Sequence, residues 1–404
     1  MTALVVFLVS YLGIAMGRIP GLAVDRVGIA ILGAIAMVVL GAVSPQEAVR
    51  CIDFPTLCLL YGLMIISAQL RLGGFYTAAA EKILGFSDRP RLFLLVSMLV
   101  SALLSALLAN DIICFAMAPI LACSLKRAGL NPVPFLLGLA VSSNIGSGST
   151  LIGNPQNMLI GQMGHLSFEA FFLWAYMPSF LSLMAAFGMI AMCYRKDLRI
   201  EKAETMDESG MDWPRFDCWQ TGKGILAVGV LVGLYLTDMP RDLATLSVAG
   251  SLLLSRKMKS REMMALVDWH LITLFCALFI IIHGVSLAHL PERVLEFLSQ
   301  KGFELTQPVV LTSVSVVLSN LFSNVPAVML VIPCLGQAMP DSWYILALSS
   351  SFAGNLFLLG SIANLIVVEK ALGHGVVISF KEHARIGIPV TFLSLLVLMA
   401  WTWL

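Results

Sequence analysis

Apolar runs long enough to need a bilayer or a large core recur from one end of this chain to the other, and the first two carry no charge. A helix needs about 20 apolar residues to cross membrane hydrocarbon, and there every backbone N–H and C=O must be satisfied within the protein. Open sheets and lipid-facing loops are thereby excluded, so the fold expected is an all-α polytopic membrane protein. Composition agrees: 59% of the 404 residues are hydrophobic and 12% are charged. The first sixteen residues are apolar without a basic start or a small-residue cleavage site, which predicts a retained helix rather than a signal peptide.

Full spans are expected near Thr2 to Met16, Val27 to Val43, Phe54 to Ala68, Pro134 to Gly161 and Phe171 to Cys193. The second half predicts five more, near Lys223 to Thr237, Leu243 to Leu254, Trp269 to Ala288, Trp343 to Val368 and Ile386 to Trp403. Leu92 to Ala122 is too short for two crossings and has Asn110 and Asp111 near its middle, so a re-entrant helical hairpin is expected. Thr306 to Leu335 predicts a second hairpin. With this layout only Arg50, Arg241, Arg293 and Lys301, of 25 Lys and Arg, fall on one side. Basic residues accumulate in cytoplasmic loops. The split therefore places both termini outside and makes 194–222 a cytoplasmic linker between repeats 1–193 and 223–404.

The halves also align. "SPQEAVRCIDFPTLCLLYGLMII" (Ser44 to Ile66) matches "KSREMMALVDWHLITLFCALFII" (Lys259 to Ile281), pairing Glu47 with Glu262 and Asp53 with Asp268. "ANDIICFAMAPIL" matches "SNVPAVMLVIPCL", pairing Asn110 with Asn324, and "LIGNPQN" matches "LLGSIAN", pairing Asn157 with Asn364. An odd number of crossings per half makes the copies inverted, an arrangement typical of secondary transporters with interrupted helices at the midplane. Between Ser142 and Asn157, thirteen of sixteen residues are Gly, Pro, Ser, Thr, Asn or Gln, which a lipid-facing helix would not carry. An unwound middle would offer N–H groups at the start of one half-helix and carbonyls at the end of the other, for an anion or polar solute and a cation respectively.

Asp111 is the one carboxylate deep in an apolar region, at the first hairpin tip, and reads as a proton or cation coupling site. Val325 stands at the equivalent place in the second hairpin, so one coupling site is expected. No Lys or Arg lies mid-span, which favours a neutral or weakly acidic solute. His283 reads as an interfacial histidine, and Cys114 as a packing residue unless it faces inward. The eight cysteines show no ligand spacing, so neither a disulfide framework nor a metal site is signalled. A net charge of +1 gives no reason to expect a nucleic-acid partner.

At these motifs the chain resembles the ion transporter superfamily, in the branch of ArsB-type arsenite efflux permeases and NhaD-type sodium/proton antiporters. Divalent anion/sodium symporters are its relatives. The Asn110–Asp111 pair resembles the Asn-Asp of the arsenite permeases, and "GSIANLIVVEKALGHGVVISFKEHARIGIPVTF" resembles their C-terminal section. "LIGNPQN" is closer to the "IGxPPN" style of broader anion permeases. The symporters carry Ser-Asn-Thr at both tips; here the tips read Ala-Asn-Asp and Ser-Asn-Val, a departure from that signature of two sodium sites.

The resemblance implies two inverted repeats of five transmembrane helices, each with a re-entrant hairpin (92–122, 306–335) and a broken helix (134–161, 343–368). It assigns substrate binding to Asn110, Asn144, Gly146, Ser147, Ser149, Thr150, Gly153, Asn154 and Asn157, with Asn324, Asn355, Gly360, Ser361 and Asn364, and ion coupling to Asp111. The expected function is proton-coupled export of arsenite or antimonite by alternating access, without a cofactor, in a bacterial or archaeal inner membrane. A sodium-coupled importer of carboxylates or inorganic oxyanions and a sodium/proton antiporter are the alternatives. An ATPase subunit and a homodimer both remain open. An intramembrane aspartyl enzyme is disfavoured because it needs two acids sharing a site.

Overall fold

Twenty α-helices and no strand occur among the residues described by the computed structural model, 2–16, 23–86, 88–198, 215–335 and 340–404. Arg18 and most of the expected linker lie outside the described residues. The first half runs α1 Thr2–Met16, α2 Arg26–Val39, α3 Pro45–Arg50, α4 Phe54–Leu72, α5 Phe75–Leu84, α6 Pro90–Leu108, α7 Asn110–Arg127, α8 Val133–Gly148, α9 Pro155–Met163 and α10 Phe168–Cys193. The second half runs α11 Cys218–Tyr235, α12 Arg241–Leu253, α13 Ser260–Met264, α14 Trp269–Leu287, α15 Leu290–Gln300, α16 Pro308–Phe322, α17 Asn324–Leu335, α18 Pro340–Ala353, α19 Ile362–Gly373 and α20 Phe380–Trp401. Each element of one half has its counterpart ten labels later.

Local chemistry repeats with the elements. Asp53 and Asp268, aligned in sequence, cap α4 and α14 by accepting the backbone N–H of Thr56 at 3.3 Å and Leu271 at 3.0 Å. Ser44 and Glu47 form a reciprocal capping box on α3. Those hydrogen bonds from Ser44 hold the Glu47 carboxyl below the usual carboxylate range, with the nearby His283 adding to the effect. The short helices α3, α5, α13 and α15 were not expected. Apolar runs do not reveal helices of 5 to 11 residues that lie beside the spans, although α5 buries one face through Tyr76, Ala80, Ile83 and Leu84.

Equivalent pairs make the packing. Helix α4 lies against α12 and α11, and α14 lies against α2 and α1. Around the hairpins, α6 and α7 pack on α8, α16 and α17 on α18, and α10 meets α20. The α6–α8 crossing is so close that a Cβ on Gly146 would lie 2.4 Å from the carbonyl oxygen of Ala102. No side of α8 reaches lipid, since every residue from Val133 to Gly148 is buried.

Two expectations are refined. The polar stretch from Ser142 to Gly148 remains helical, and only residues 149–154 separate α8 from α9. Ser142, Ser143 and Ser147 donate to carbonyls three residues back, which satisfies their hydroxyls inside a buried helix. The first hairpin is also longer than expected, with a 19-residue first arm. That arm is itself long and apolar enough to cross a membrane, and the tip meets the break: Asn110 N–H donates to Gly153 O at 2.9 Å.

Candidate functional site

Each hairpin turns on one residue with positive φ, Ala109 (φ 66°, ψ 131°) and Ser323 (φ 74°, ψ 159°). That region belongs almost wholly to glycine, and holding another residue there costs on the order of 1–3 kcal/mol. The sharp tips start α7 and α17 beside the breaks from which α9 and α19 restart. Four helix N-termini therefore converge on one narrow cleft of about 20 Å³, whose walls include Asn110, Asp111, Pro155, Gln156, Ser323, Asn324, Ser361 and Ile362. This is about the space of a single water. N-terminal helix dipoles make it favourable to negative charge and to electron-rich oxygens.

Beneath the cleft, the breaks are held by amides in matched fashion. Asn157 Nδ2 donates to the carbonyls of Ser147 (3.5 Å), Gly148 (3.3 Å) and Thr150 (2.9 Å). Asn364 Nδ2 donates to those of Gly354 (2.7 Å) and Phe357 (3.4 Å), the positions that align with Ser147 and Thr150. Orphan carbonyls at the ends of α8 and α18 are thus satisfied by side chains. The carbonyls expected to stand free for a cation are already engaged by these amides.

Further contacts cross between repeats in the same pairwise way. Ser361 Oγ donates to Asn144 Oδ1 at 2.9 Å, and its counterpart is Asn154 Nδ2 donating to Ser351 Oγ at 3.0 Å. Asn144 Nδ2 donates to Asn364 Oδ1 at 3.1 Å, matched by Ser351 Oγ to Asn157 Oδ1 at 3.5 Å. At the tips Asn110 Nδ2 donates to Asn144 Oδ1 at 3.0 Å, while the Asn324 amide reaches the carbonyls of Ser350 at 3.2 Å and Gly360 at 3.1 Å. Gly360 aligns with Gly153, the carbonyl partner of the first tip. Buried polar networks of this kind fix one arrangement because each member depends on the others.

Of the residues singled out from sequence, Asn110, Asp111, Asn324 and Ser361 line the cleft. Asn144, Ser147, Asn154, Asn157, Asn355 and Asn364 are buried in the frame below it. Thr150 donates to Ala106 O at 2.5 Å, tying the break to the end of α6. Gly153 and Gly360 are approach points: a Cβ on Gly153 would lie 2.3 Å from Ser147 O. Gly146 and Ser149 face a separate cavity of about 340 Å³ between α6, α8 and α10. Cys114 is buried against Ser143, 3.0 Å away, and lines neither the cleft nor the cavity that opens beyond it.

That second cavity, of about 300 Å³, shares Asp111, Pro155 and Leu271 with the cleft and reaches Arg71 in the last turn of α4 and Asp268 at the start of α14. Asp111 stands where the two spaces join. Its carboxylate has no hydrogen bond or ion pair among the described residues. Sequence reasoning did not single out Ser323 or Arg71. The fold of the hairpin tip brings Ser323 in, while Arg71 had been counted as a loop charge because α4 was expected to end near Ala68. Gln156, within the polar stretch, also faces the cleft.

Comparison with known proteins covers the whole of this architecture. The profile of the citrate transporter family matches residues 11–353. A Dictyostelium discoideum transporter that carries the name arsB is 25% identical over 97% of this chain and 89% of its own length. A silicon efflux transporter of Oryza sativa subsp. japonica is 27% identical over 92% and 91% respectively, and a 46 kDa membrane protein of Mycobacterium leprae is 28% identical over 100% and 98%. Among solved structures, the Alcanivorax borkumensis YdaH transporter superposes with a TM-score of 0.58 at 13% identity, covering 100% of this chain and 96% of that one. At this identity the likeness is one of fold.

Proposed function

The chain belongs to the citrate transporter family, and from that premise we propose that it exports a small uncharged hydroxide, of the arsenite or antimonite class, in exchange for protons. The observation that carries the reading is the place of Asp111: an acid without a partner, at the junction of the wide cavity and the cleft between the tips. A carboxylate there takes up a proton from one side and releases it to the other as the hairpins and broken helices change their exposure. Burial of an acid in a membrane is costly unless it serves a role.

Solute chemistry follows from the walls. Amides, hydroxyls and helix N-termini surround the cleft, a set that hydrogen-bonds a neutral polyhydroxy solute and offers no cation to neutralise a multivalent anion. Arsenite at neutral pH is such a hydroxide, and the reading is in keeping with the names of two relatives, one a transporter arsB and one a silicon efflux transporter. Engagement of the break carbonyls by Asn157 and Asn364 leaves Asp111 as the better coupling group and favours protons over sodium. The end with Arg71, Lys126 and Lys370 is taken as cytoplasmic, in keeping with the distribution of basic residues. The test is flux into sealed vesicles of arsenite, succinate and sulfate under separate proton and sodium gradients. Arsenite driven by the proton gradient alone is expected; succinate or sulfate driven by sodium would replace this reading with the importer.

A further inference from the structure

The groove between α6, α8 and α10 encloses about 340 Å³ and opens sideways, where Leu103 is 62% and Tyr176 48% exposed. Its floor is made of small residues, Ala102 and Ala106 of α6 with Gly146 and Ser149 at the end of α8. The facing wall is α10, which contributes Phe172, Tyr176, Ser179, Phe180 and Leu183. The second repeat shows why the groove is there. Val316, Asn320, Ala353 and Leu356 stand at the positions aligned with Ala102, Ala106, Gly146 and Ser149, and each is larger. Asn320 Nδ2 crosses to Ala353 O at 3.1 Å, so the chain's own atoms take up the corresponding space. "SFLSL" (Ser179 to Leu183) matches "TFLSL" (Thr391 to Leu395), which aligns Ala175 with Gly387. A Cβ on Gly387 would clash with the Asn355 carbonyl, so α20 lies directly on the second break. Ala175 carries the methyl group that such an approach excludes.

No charged side chain is among the described residues that line the groove, and Ser149 spends its hydroxyl on Gly146 O at 2.7 Å. Apolar walls of this kind do not hold water, and left empty they forfeit dispersion contacts on three sides. The opening lies between α6 and α10, each long and apolar enough to cross a membrane, so hydrocarbon is what reaches it. We propose that an acyl chain of a membrane phospholipid seats in this groove, against the first break. Seated there, it packs on Ala106 and Gly146. Through the hydrogen bond from Thr150 to Ala106 O it bears on the hairpin arm and the broken helix together. The second repeat, filled by its own side chains, takes no such chain. The site stands whatever solute the cleft carries.

The test uses the full chain in detergent micelles, titrated with a phospholipid that carries a photoreactive diazirine midway along one acyl chain. Labelling of α6 and α10 at the groove is expected to saturate and to be competed by unlabelled phospholipid. Ile388 and Phe392, aligned with Tyr176 and Phe180 and also exposed, form the control face and should label without saturating. Ala106→Leu and Ser179→Leu fill the groove from opposite walls, the second without breaking a hydrogen bond among the described residues. Each takes the room of about two methylene groups and should weaken labelling by about tenfold. Labelling of the groove that does not saturate would overturn the proposal. Saturable labelling undiminished in either variant, as a monodisperse sample, would do the same, as would competition by oleate and not by phospholipid. Protection of the groove from label in a dimeric species would give the surface to a second copy, and the proposal would fall.

Discussion

The two broken helices differ in most side chains and yet are held the same way. In the first repeat the break carries Asn144 and Asn154; in the second the aligned positions are Ser351 and Ser361, and the same cross-contacts form, Asn154 and Ser361 donating and Ser351 and Asn144 accepting. Asn157 and Asn364 tie each break to its preceding half-helix. At the tips the symmetry fails in charge, with Asp111 in one hairpin and Val325 in the other. The comparison teaches that duplication preserved the frame while titratable chemistry was placed once. A frame repeated in both copies suits a carrier whose two exposures are near mirror images.

The sharpest way to break this contrast is at the tip. Asp111→Asn should bring pH-driven arsenite flux in vesicles to background while the purified protein stays monodisperse, and flux that persists would remove Asp111 from the mechanism. The frame comes next. Asn157→Ala and Asn364→Ala each remove an amide whose two N–H groups serve the break carbonyls and should each cost about 2 kcal/mol, by unfolding in detergent. Unchanged stability in either would mean that the matched geometry is not what holds the breaks.

Glycine substitutions sharpen the comparison further. Gly153→Ala meets backbone at Ser147 at 2.3 Å and should cost about 2 kcal/mol, whereas Gly360→Ala meets the Asn320 side chain at 2.8 Å, whose displacement strains two hydrogen bonds rather than the backbone, and should cost about 1 kcal/mol. Equal losses at both would contradict the packing asymmetry. The smallest effects belong to the tips' backbone: Ala109→Gly and Ser323→Gly should each raise stability by about 1 kcal/mol by relieving positive φ. A fall in melting temperature for both would show that the turns carry no strain.

Much of this was legible before the structure. Apolar runs indicate the long helices, because an apolar segment away from water must satisfy its backbone internally, and the aligned Asn-bearing motifs indicate that the halves are copies. Asp111 stood out for the same reason, as a charge where none is cheap. The division of labour among the asparagines did not. Asn157 and Asn110 read alike in sequence, yet one spends its amide on helix-end carbonyls and the other lines the cleft, a difference set by which half-helix each begins. Arg71 was hidden because α4 continues to Leu72 and carries the guanidinium into the cavity rather than into a loop.

The most direct measurement of the central claim records arsenite and proton movement together in the same vesicles. Arsenite moving out should be matched by protons moving in, in fixed proportion, for the native chain and not for Asp111→Asn. Arsenite movement with no accompanying protons, or with protons travelling in the same direction, would contradict exchange through a shared cleft at Asp111.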